Sequence, residues 1–299
     1  TYVLSMTRRP FTAYDANWRL VCMLCVQLPT IENGLAAPEK TPGGKQGIAV
    51  TYTIRADAFW GDGVPVGTKD VIFTWKVGRH PKSGVGNMEF YRRIYKIDAT
   101  DAKTFTLHFD RLTFDFANIS GFELIPAHLD ELNFADPATY KNRTAFDTDI
   151  TNEGLYFGPY LIAKVETGSH VILERNPRWW GKKPYFRRVI VRMIGNTAAL
   201  EANLLSGSID MIAGELGLSI DQALAFERRH ASLLEGLAGL DVVLVLDLGA
   251  GVQHGVDVLG RVLGVLRERA HHRPSDLGVG LGGTRDVDHD RGPLVTGGR

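Results

Sequence analysis

The residues best suited to chemistry by type and spacing are two cysteines, Cys22 and Cys25, separated by Met-Leu. A C-x-x-C spacing can form a redox-active pair or half of a metal site. The sequence contains no second C-x-x-C, no histidine lies near this one, and its flanking residues are apolar and strand-like. Because free cysteine packs as a small hydrophobic residue, we expect two buried, unreactive thiols.

Other sequence patterns that would indicate an enzyme are weak. Residues 278–283 match G-x-G-x-x-G, but a dinucleotide site needs a preceding strand and a following helix, which the flanking residues do not predict. Ser206-Gly207-Ser208 lacks the first glycine of a nucleophile elbow. The histidines have no H-E-x-x-H spacing, and His271-His272 has no ligand partners at useful spacing. The sequence therefore predicts no catalytic residue, no metal and no cofactor.

Apolar periodicity predicts the elements that would have to position any site. Residues 49–55 and 104–109 alternate apolar with polar side chains, which is typical of half-buried strands. Residues 160–174 predict a hairpin, and the nearly all-apolar residues 189–194 predict a strand covered on both faces. Thr68 is a suitable N-cap for a helix that runs to about Val77.

The region that follows the predicted hairpin continues this alternation of elements. Thr197 is expected to cap a helix that ends at Gly207, and residues 209–212 predict a short strand. Ser219 and Gln222 have the spacing of a capping box that opens a last helix. Because strands and helices interleave along the chain, the sequence predicts an α/β domain built on a mixed sheet.

The composition changes abruptly near residue 230. All 28 aromatic residues precede residue 231, and Gly, Leu, Val and Arg make 45 of the last 69 residues. One explanation is a low-complexity extension. The other is a G/C-rich gene read out of frame, because the missing residue types have mostly A/T-rich codons. The second fits better, since natural glycine-rich linkers favour Ser, Pro or charge over Leu and Val.

Charge and hydropathy narrow the classes of partner. With 34 basic and 34 acidic residues, the formal net charge is zero, which gives no electrostatic reason to expect nucleic acid or an anionic membrane surface. No apolar run reaches the roughly 18 residues of a spanning helix. Residue 1 is Thr, so we expect the start codon and any secretion signal to lie outside this chain.

Three sequence motifs occur in an order that resembles one family. They are Trp60-Gly61-Asp62-Gly63-Val64-Pro65 with Asp70-Val71-Ile72-Phe73, then Gly158-Pro159-Tyr160 with Asn176-Pro177 and Trp179-Trp180-Gly181, and finally Leu205-Ser206-Gly207-Ser208-Ile209-Asp210. Together they resemble family 5 of the bacterial extracellular solute-binding proteins, the dipeptide and oligopeptide type. The resemblance runs from about Asp15 to His230.

The resemblance implies a fold and a function. It implies a periplasmic-binding-protein-like (type II) lobe at residues 1–230. The change in composition makes residues 231–299 a Gly/Leu/Val/Arg-rich tail that is expected to be out of frame or non-native. Such a protein has two lobes that close on a ligand at a hinge, and no second lobe is recognisable after residue 230. The implied function is non-catalytic capture of a peptide or similar small solute and its delivery to ABC permease subunits. The implied state is a monomer, either periplasmic or membrane-anchored and extracellular.

The resemblance also places candidate ligand contacts in three segments that border the cleft in family members. They are Met23, Leu24, Cys25 and Val26; Phe122 and Glu123; and Tyr156 and Phe157. Ordinary core or loop packing is the alternative interpretation of these residues. Likewise, Asp62 is expected to form a turn, and Trp179 and Trp180 are expected to put one ring in the core and one at the surface.

Two alternatives to the solute-binding function remain open. The first is a non-functional, truncated fragment of such a protein, which would share its fold without its activity. The second is an α/β hydrolase-type enzyme, which a perturbed carboxylate or a histidine cluster in a closed pocket would favour.

Overall fold

The computed structural model describes residues 2–212 and 217–237 of the 299-residue chain. The chain divides into two compact units, which meet in the sequence between Ala199 and Leu200. Most of the predicted tail, the glycine motif at 278–283 and the paired histidines lie outside the described residues. Within the described residues, no helix is both long and apolar enough to cross a bilayer.

The first unit contains three β-sheets. The strands are β1 (Thr12–Tyr14), β2 (Leu20–Cys22), β3 (Ala36–Lys40), β4 (Gln46–Thr53), β5 (Ile94–Ala99), β6 (Thr104–Phe109), β7 (Tyr160–Glu166), β8 (His170–Arg175) and β9 (Arg188–Arg192). Strand β1 pairs with β2, strands in the order β3-β4-β6-β5 form a four-stranded sheet, and β7-β8-β9 form a three-stranded sheet.

Short helices connect and cover these sheets. The helices are α1 (Tyr2–Thr7), α2 (Thr68–Arg79), α3 (Met88–Arg92), α4 (Ala127–Asp130), α5 (Pro137–Tyr140), α6 (Ala145–Thr148), α7 (Thr197–Leu205) and α8 (Ile220–Leu237), with 3-10 turns at Asn133–Ala135 and Glu153–Leu155. The combination confirms the predicted α/β class. One detail differs, because every strand pair found among the described residues is antiparallel rather than mixed.

The two strands predicted from alternating apolar and polar residues, at 49–55 and 104–109, correspond to β4 and β6. They form the centre of the main core. Alternate residues of β6, at Phe105, Leu107 and Phe109, are buried, while the residues between them are half-buried. Across the sheet, Tyr52 stacks on Phe105 at 5.8 Å between ring centroids. The period of two in the sequence therefore corresponds to one face packed against the core.

Helix α2 has a different cap from the one that the sequence predicts. The N-cap is Gly67, and the Thr68 hydroxyl instead donates to the Asp101 carbonyl at 2.9 Å. The Asp70 carboxylate, which is 4% exposed, accepts from the Gly67 N–H at 2.9 Å. It also accepts from the Trp60 indole N–H at 3.2 Å and from the Ala127 N–H at 2.9 Å. One buried carboxylate thus joins the start of α2, the turn before it and the start of α4.

The three-stranded sheet contains the predicted hairpin and one error. Strands β7 and β8 pair as expected across a turn in which Gly168 has φ +77°. The prediction that residues 189–194 are covered on both faces is wrong, because β9 is an edge strand and Ile190 is 50% exposed. Val189 and Val191 pack against the sheet core, so only one face of β9 is covered.

The described part of the second unit has its own small core. It consists of Leu204, Ile212 and Phe226, with half-buried apolar neighbours. Gly207 follows α7 with φ +70°, and Ser219 and Gln222 form the capping box before α8, both as predicted. Residues 209–212 do not form the predicted strand, and helix α8 has a non-helical residue at His230.

Candidate functional site

The three predicted contact segments converge on a fourth segment that the sequence analysis did not single out. It consists of Thr7, Arg8, Arg9, Pro10, Phe11 and Thr12, and we refer to it as the 7–12 segment. It leaves helix α1 at Thr7 and enters strand β1 at Thr12. Each of the three predicted segments contacts this segment through its own set of bonds or ring contacts.

The segment at 23–26 is attached through its backbone. The Met23 and Leu24 N–H groups both donate to the Phe11 carbonyl, at 2.8 and 3.3 Å. Cys25 forms an isolated antiparallel bridge with Ile54. Leu24 and Cys25 are buried, Met23 is half-buried and Val26 is 61% exposed. Ligand contact is therefore open to Met23 and Val26, while Leu24 and Cys25 are buried as whole residues.

The prediction of two free thiols is wrong, because Cys22 and Cys25 form a disulfide. Cys22 ends β2 and the next residues turn so that the two Cα atoms are 5.2 Å apart, within the normal range for a disulfide. The flanking residues are strand-like, but the chain leaves the strand at Cys22, and that departure brings the sulfurs together.

We expect the oxidised pair to be detectable by mass. Without reductant, iodoacetamide should leave both cysteines unmodified, and after reduction it should add two carbamidomethyl groups. Because the loop is only four residues, its closure should contribute no more than about 2 kcal/mol to the free energy of unfolding. Alkylation of both cysteines in the unreduced, folded protein would show that the thiols are free.

The segment at 121–123 contacts the 7–12 segment through two side chains. Phe122 is 1% exposed and packs edge-on against the Phe11 ring at 6.0 Å. The Tyr91 hydroxyl donates to the Gly121 carbonyl at 3.2 Å, which holds this loop in place. The Glu123 carboxylate is 68% exposed and lies 3.7 Å from Nη1 of Arg8.

The segment at 156–158 is attached at Thr7. The Phe157 and Gly158 N–H groups both donate to the Thr7 carbonyl, at 3.2 and 2.8 Å. The buried Phe157 ring lies edge-on to Trp60 at 4.8 Å. The Tyr156 hydroxyl, also buried, donates to the Ile150 carbonyl at 2.5 Å. Both predicted side chains in this segment therefore belong to the core.

The paired tryptophans extend the same aromatic cluster. Trp180 packs against the main core and stacks on Phe157 at 6.3 Å with 14° between the rings. Trp179 contacts Trp180 at 4.4 Å and lies 5.3 Å from the Arg9 guanidinium. Both rings are half-buried, so the expected contrast between a core ring and a surface ring is smaller than predicted.

Burial controls the electrostatics around Arg8. The Arg8 side chain is 17% exposed, and its burial lowers the pKa of the guanidinium, while the nearby Glu123 opposes that change. Burial also raises the pKa of Tyr91 and of Tyr156, each to about 12. Both phenols therefore remain neutral hydrogen-bonding groups at physiological pH.

A concave surface on this unit, away from the 7–12 segment, is an open groove of about 590 Å³. Its lining residues are Asp57, Phe59, Asp62, Gly63, Pro177, Arg178 and Trp179. Their polar groups already bond within the protein, since Arg178 donates to the Gly61 carbonyl at 2.9 Å and Asp62 accepts from the Val64 N–H at 3.0 Å. Asp62 is thus the turn former that its sequence predicts. Over the described residues, no group of three His, Cys, Asp or Glu side chains could hold a metal ion.

The fold is that of one lobe of a periplasmic binding protein of the α/β type. The model of the bacterial extracellular solute-binding proteins, family 5 Middle, matches residues 30–231. The chain therefore belongs to family 5 of the bacterial extracellular solute-binding proteins.

Individual relatives and solved structures agree with this assignment. The chain is 26% identical over 250 residues to the probable D,D-dipeptide-binding periplasmic protein DdpA of Escherichia coli, covering 78% of this chain and 45% of that protein. It is 23% identical to the oligopeptide-binding protein OppA of Bacillus subtilis, covering 70% of this chain and 40% of that protein. The oligopeptide-binding protein of Thermus thermophilus, solved with a pentapeptide, superposes with a TM-score of 0.59 and 27% identity, covering 70% of this chain and 39% of that chain. The chain thus spans less than half the length of these relatives.

Proposed function

We propose that residues 1–230 form the first lobe of the substrate-binding component of an ABC importer, and that the tail at 231–299 is not part of this lobe. In this role the protein captures a peptide or a similar small solute without chemistry and delivers it to the permease subunits. The observation that carries the proposal is the convergence of the 23–26, 121–123 and 156–158 segments on the 7–12 segment.

The backbone at Cys25 supports capture of an extended peptide. The bridge to Ile54 is formed by the Val26 N–H donating to Thr53 and the Arg55 N–H donating to Leu24. Neither of these two bonds uses the N–H or the carbonyl of Cys25. No backbone hydrogen bond of Cys25 is found in the part of the chain that the structure describes. Because Cys25 is only 2% exposed, an extended peptide that added here as an extra strand, a common mode of peptide recognition, would first have to displace the groups that cover this residue.

The disulfide supports the proposed location. Disulfides form and persist in oxidising compartments, which include the bacterial periplasm and the cell surface. The Cys22–Cys25 pair fits a protein that works in the periplasm or on the outer face of a membrane, as a monomer that presents its ligand to the permease.

A thermal-shift screen with dipeptides and longer peptides tests the proposed function. At a ligand concentration of about 100 times Kd, binding should stabilise the folded protein by about 2.7 kcal/mol and raise Tm by roughly 5 to 10 °C. Glycerol at the same concentration controls for solvent effects, because it has neither a peptide backbone nor a carboxylate.

The second candidate is a fragment that folds but does not bind. The chain spans less than half the length of the relatives it matches, and closure around a ligand needs a second lobe. Cooperative unfolding with no peptide-dependent change in Tm would select this candidate over solute capture.

A further inference from the structure

We propose that Arg8 is a carboxylate-binding residue of this site, and that Glu123 occupies its guanidinium when no ligand is bound. The proposal rests on the proposed solute-binding function and names the chemical group of the ligand that the first lobe would recognise. The Arg8 side chain is nearly buried and has few partners within the protein. It lies between the 121–123 and 156–158 segments, two of those that we propose for the ligand site.

The Arg8 guanidinium has unused hydrogen-bonding capacity. It carries five N–H donors in a planar fork, yet none of them makes a hydrogen bond within residues 2–212 and 217–237, and the buried Nε has no partner there. The contact with Glu123, at 3.7 Å, is longer than the 2.7 to 2.9 Å or so of a charge-assisted hydrogen bond. Because Nε is buried, the capacity that a ligand could fill is that of the two Nη groups, which have only the long contact with Glu123.

The Arg8 side chain is 17% exposed and its Nε is buried, so the two Nη groups form the edge of the fork that a ligand could reach. One face of the guanidinium lies over the Phe146 ring, 4.0 Å from its centroid. The adjacent Thr7 carbonyl is fixed by the N–H groups of Phe157 and Gly158, so the backbone that carries Arg8 is held in place. A planar acceptor with two oxygens can then approach along the edge, which is the geometry of a bidentate arginine–carboxylate pair.

Charge and donor supply favour a carboxylate over a phosphate. The single positive charge of Arg8 neutralises a monoanion, whereas a dianion would keep a net negative charge in a region where Glu123 and Asp130 already contribute negative charge. The two nearest phenols are occupied, since Tyr91 donates to Gly121 and Tyr156 donates to Ile150. A tetrahedral anion would therefore find too few further donors, whereas a carboxylate needs only the arginine fork.

Glu123 has the properties of a displaceable occupant. Its carboxylate is 68% exposed, and Arg8 is its one ion-pair partner within the described residues. When a ligand displaces Glu123, the Glu123 carboxylate becomes fully solvated. Its one long contact with Arg8 is replaced by two short hydrogen bonds from Arg8 to the ligand carboxylate. Glu123 would therefore compete with the ligand, and removing its charge should strengthen carboxylate binding.

Arg79 provides a control outside this site. Its guanidinium also lies over an aromatic ring, 4.6 Å from the centroid of Trp75, but Arg79 is exposed and no ion pair with a carboxylate is found for it among the described residues. An Arg79→Lys variant should therefore leave acetate binding at Arg8 as in the wild type.

The test follows the arginine Nε–H resonances by nitrogen-15 NMR while acetate is added to the full chain, with acetamide as the uncharged control and chloride used to hold ionic strength constant. Arg8→Lys assigns the Arg8 resonance by its absence. We expect that resonance to shift saturably with acetate and not with acetamide. The half-saturating acetate concentration should fall several-fold in Glu123→Gln and stay unchanged in Arg79→Lys.

An Arg8 resonance that does not respond to acetate in the wild type would overturn the proposal, and this outcome depends on no variant. A half-saturating acetate concentration in Glu123→Gln equal to that of the wild type would also overturn it. The peptide thermal shift is judged separately. Peptide stabilisation that is equal in wild type and Arg8→Lys would leave solute capture intact and reject Arg8. A saturable acetate response without any peptide shift would support Arg8 and reject solute capture.

Discussion

A Gly158→Ala variant should lower the free energy of unfolding by about 3 kcal/mol, the upper end of the usual cost of overpacking. A Cβ at position 158 would lie 2.5 Å from the Thr7 carbonyl carbon and 2.7 Å from the Arg8 nitrogen. Both are backbone atoms, so neither can rotate away. The 156–158 segment would have to move and would lose its two hydrogen bonds to the Thr7 carbonyl. Urea unfolding followed by tryptophan fluorescence would measure the loss.

Gly86→Ala is the matched control for that substitution. A Cβ at Gly86 meets no atom within 4 Å, and the residue does not have a positive φ. Its unfolding free energy should stay within about 0.5 kcal/mol of the wild type. If the two alanine variants unfold alike, the junction between Gly158 and the 7–12 segment does not contribute to stability.

An Asp70→Ala variant should lower the free energy of unfolding by roughly 3 to 4 kcal/mol, because it leaves buried donors without an acceptor. The lost partners are the Gly67, Trp60 and Ala127 N–H groups, which belong to three parts of the first unit. Asp70→Asn should recover only part of the loss, since one of its two terminal groups is a donor and cannot accept from them. Urea unfolding of the three proteins side by side would measure both differences.

Asp57→Ala distinguishes the buried network from a general effect of removing a carboxylate. Asp57 bonds to Arg55 at 2.9 Å, but its side chain is 54% exposed. Exposed ion pairs of this kind contribute at most about 1 kcal/mol. A loss in Asp57→Ala as large as that in Asp70→Ala would show that burial does not explain the importance of Asp70.

Local features of the fold could be predicted because their causes lie within a few residues. The capping box at Ser219 and the turn at Asp62 each depend on hydrogen bonds between near neighbours. The hairpin of β7 and β8 likewise follows from alternation around a glycine turn. By contrast, the exposed face of β9 depends on its position at the edge of a sheet, which neighbouring residues do not reveal.

The candidate site was predictable only in part, for the same reason. The family motifs indicated three segments, but five of the eight residues, Leu24, Cys25, Phe122, Tyr156 and Phe157, have buried side chains. The 7–12 segment gave one usable signal, the adjacent pair Arg8-Arg9. Its partners, such as Glu123 and Gly158, are too distant in the sequence for that pair to identify them.

The long reach of the 7–12 segment has a consequence for how the chain folds. The Ile119 N–H donates to the Thr12 hydroxyl across 107 positions, and the bonds from Phe157 and Gly158 to Thr7 close a still longer loop. During synthesis, the Phe11 ring stays uncovered until the residues that bond to the 7–12 segment, such as Ile119 and Phe157, have left the ribosome. Loops of this length slow folding, because their closure entropy is lost before the contacts form. The first lobe should therefore fold late and cooperatively, with the 7–12 segment among the last parts to gain protection from hydrogen exchange.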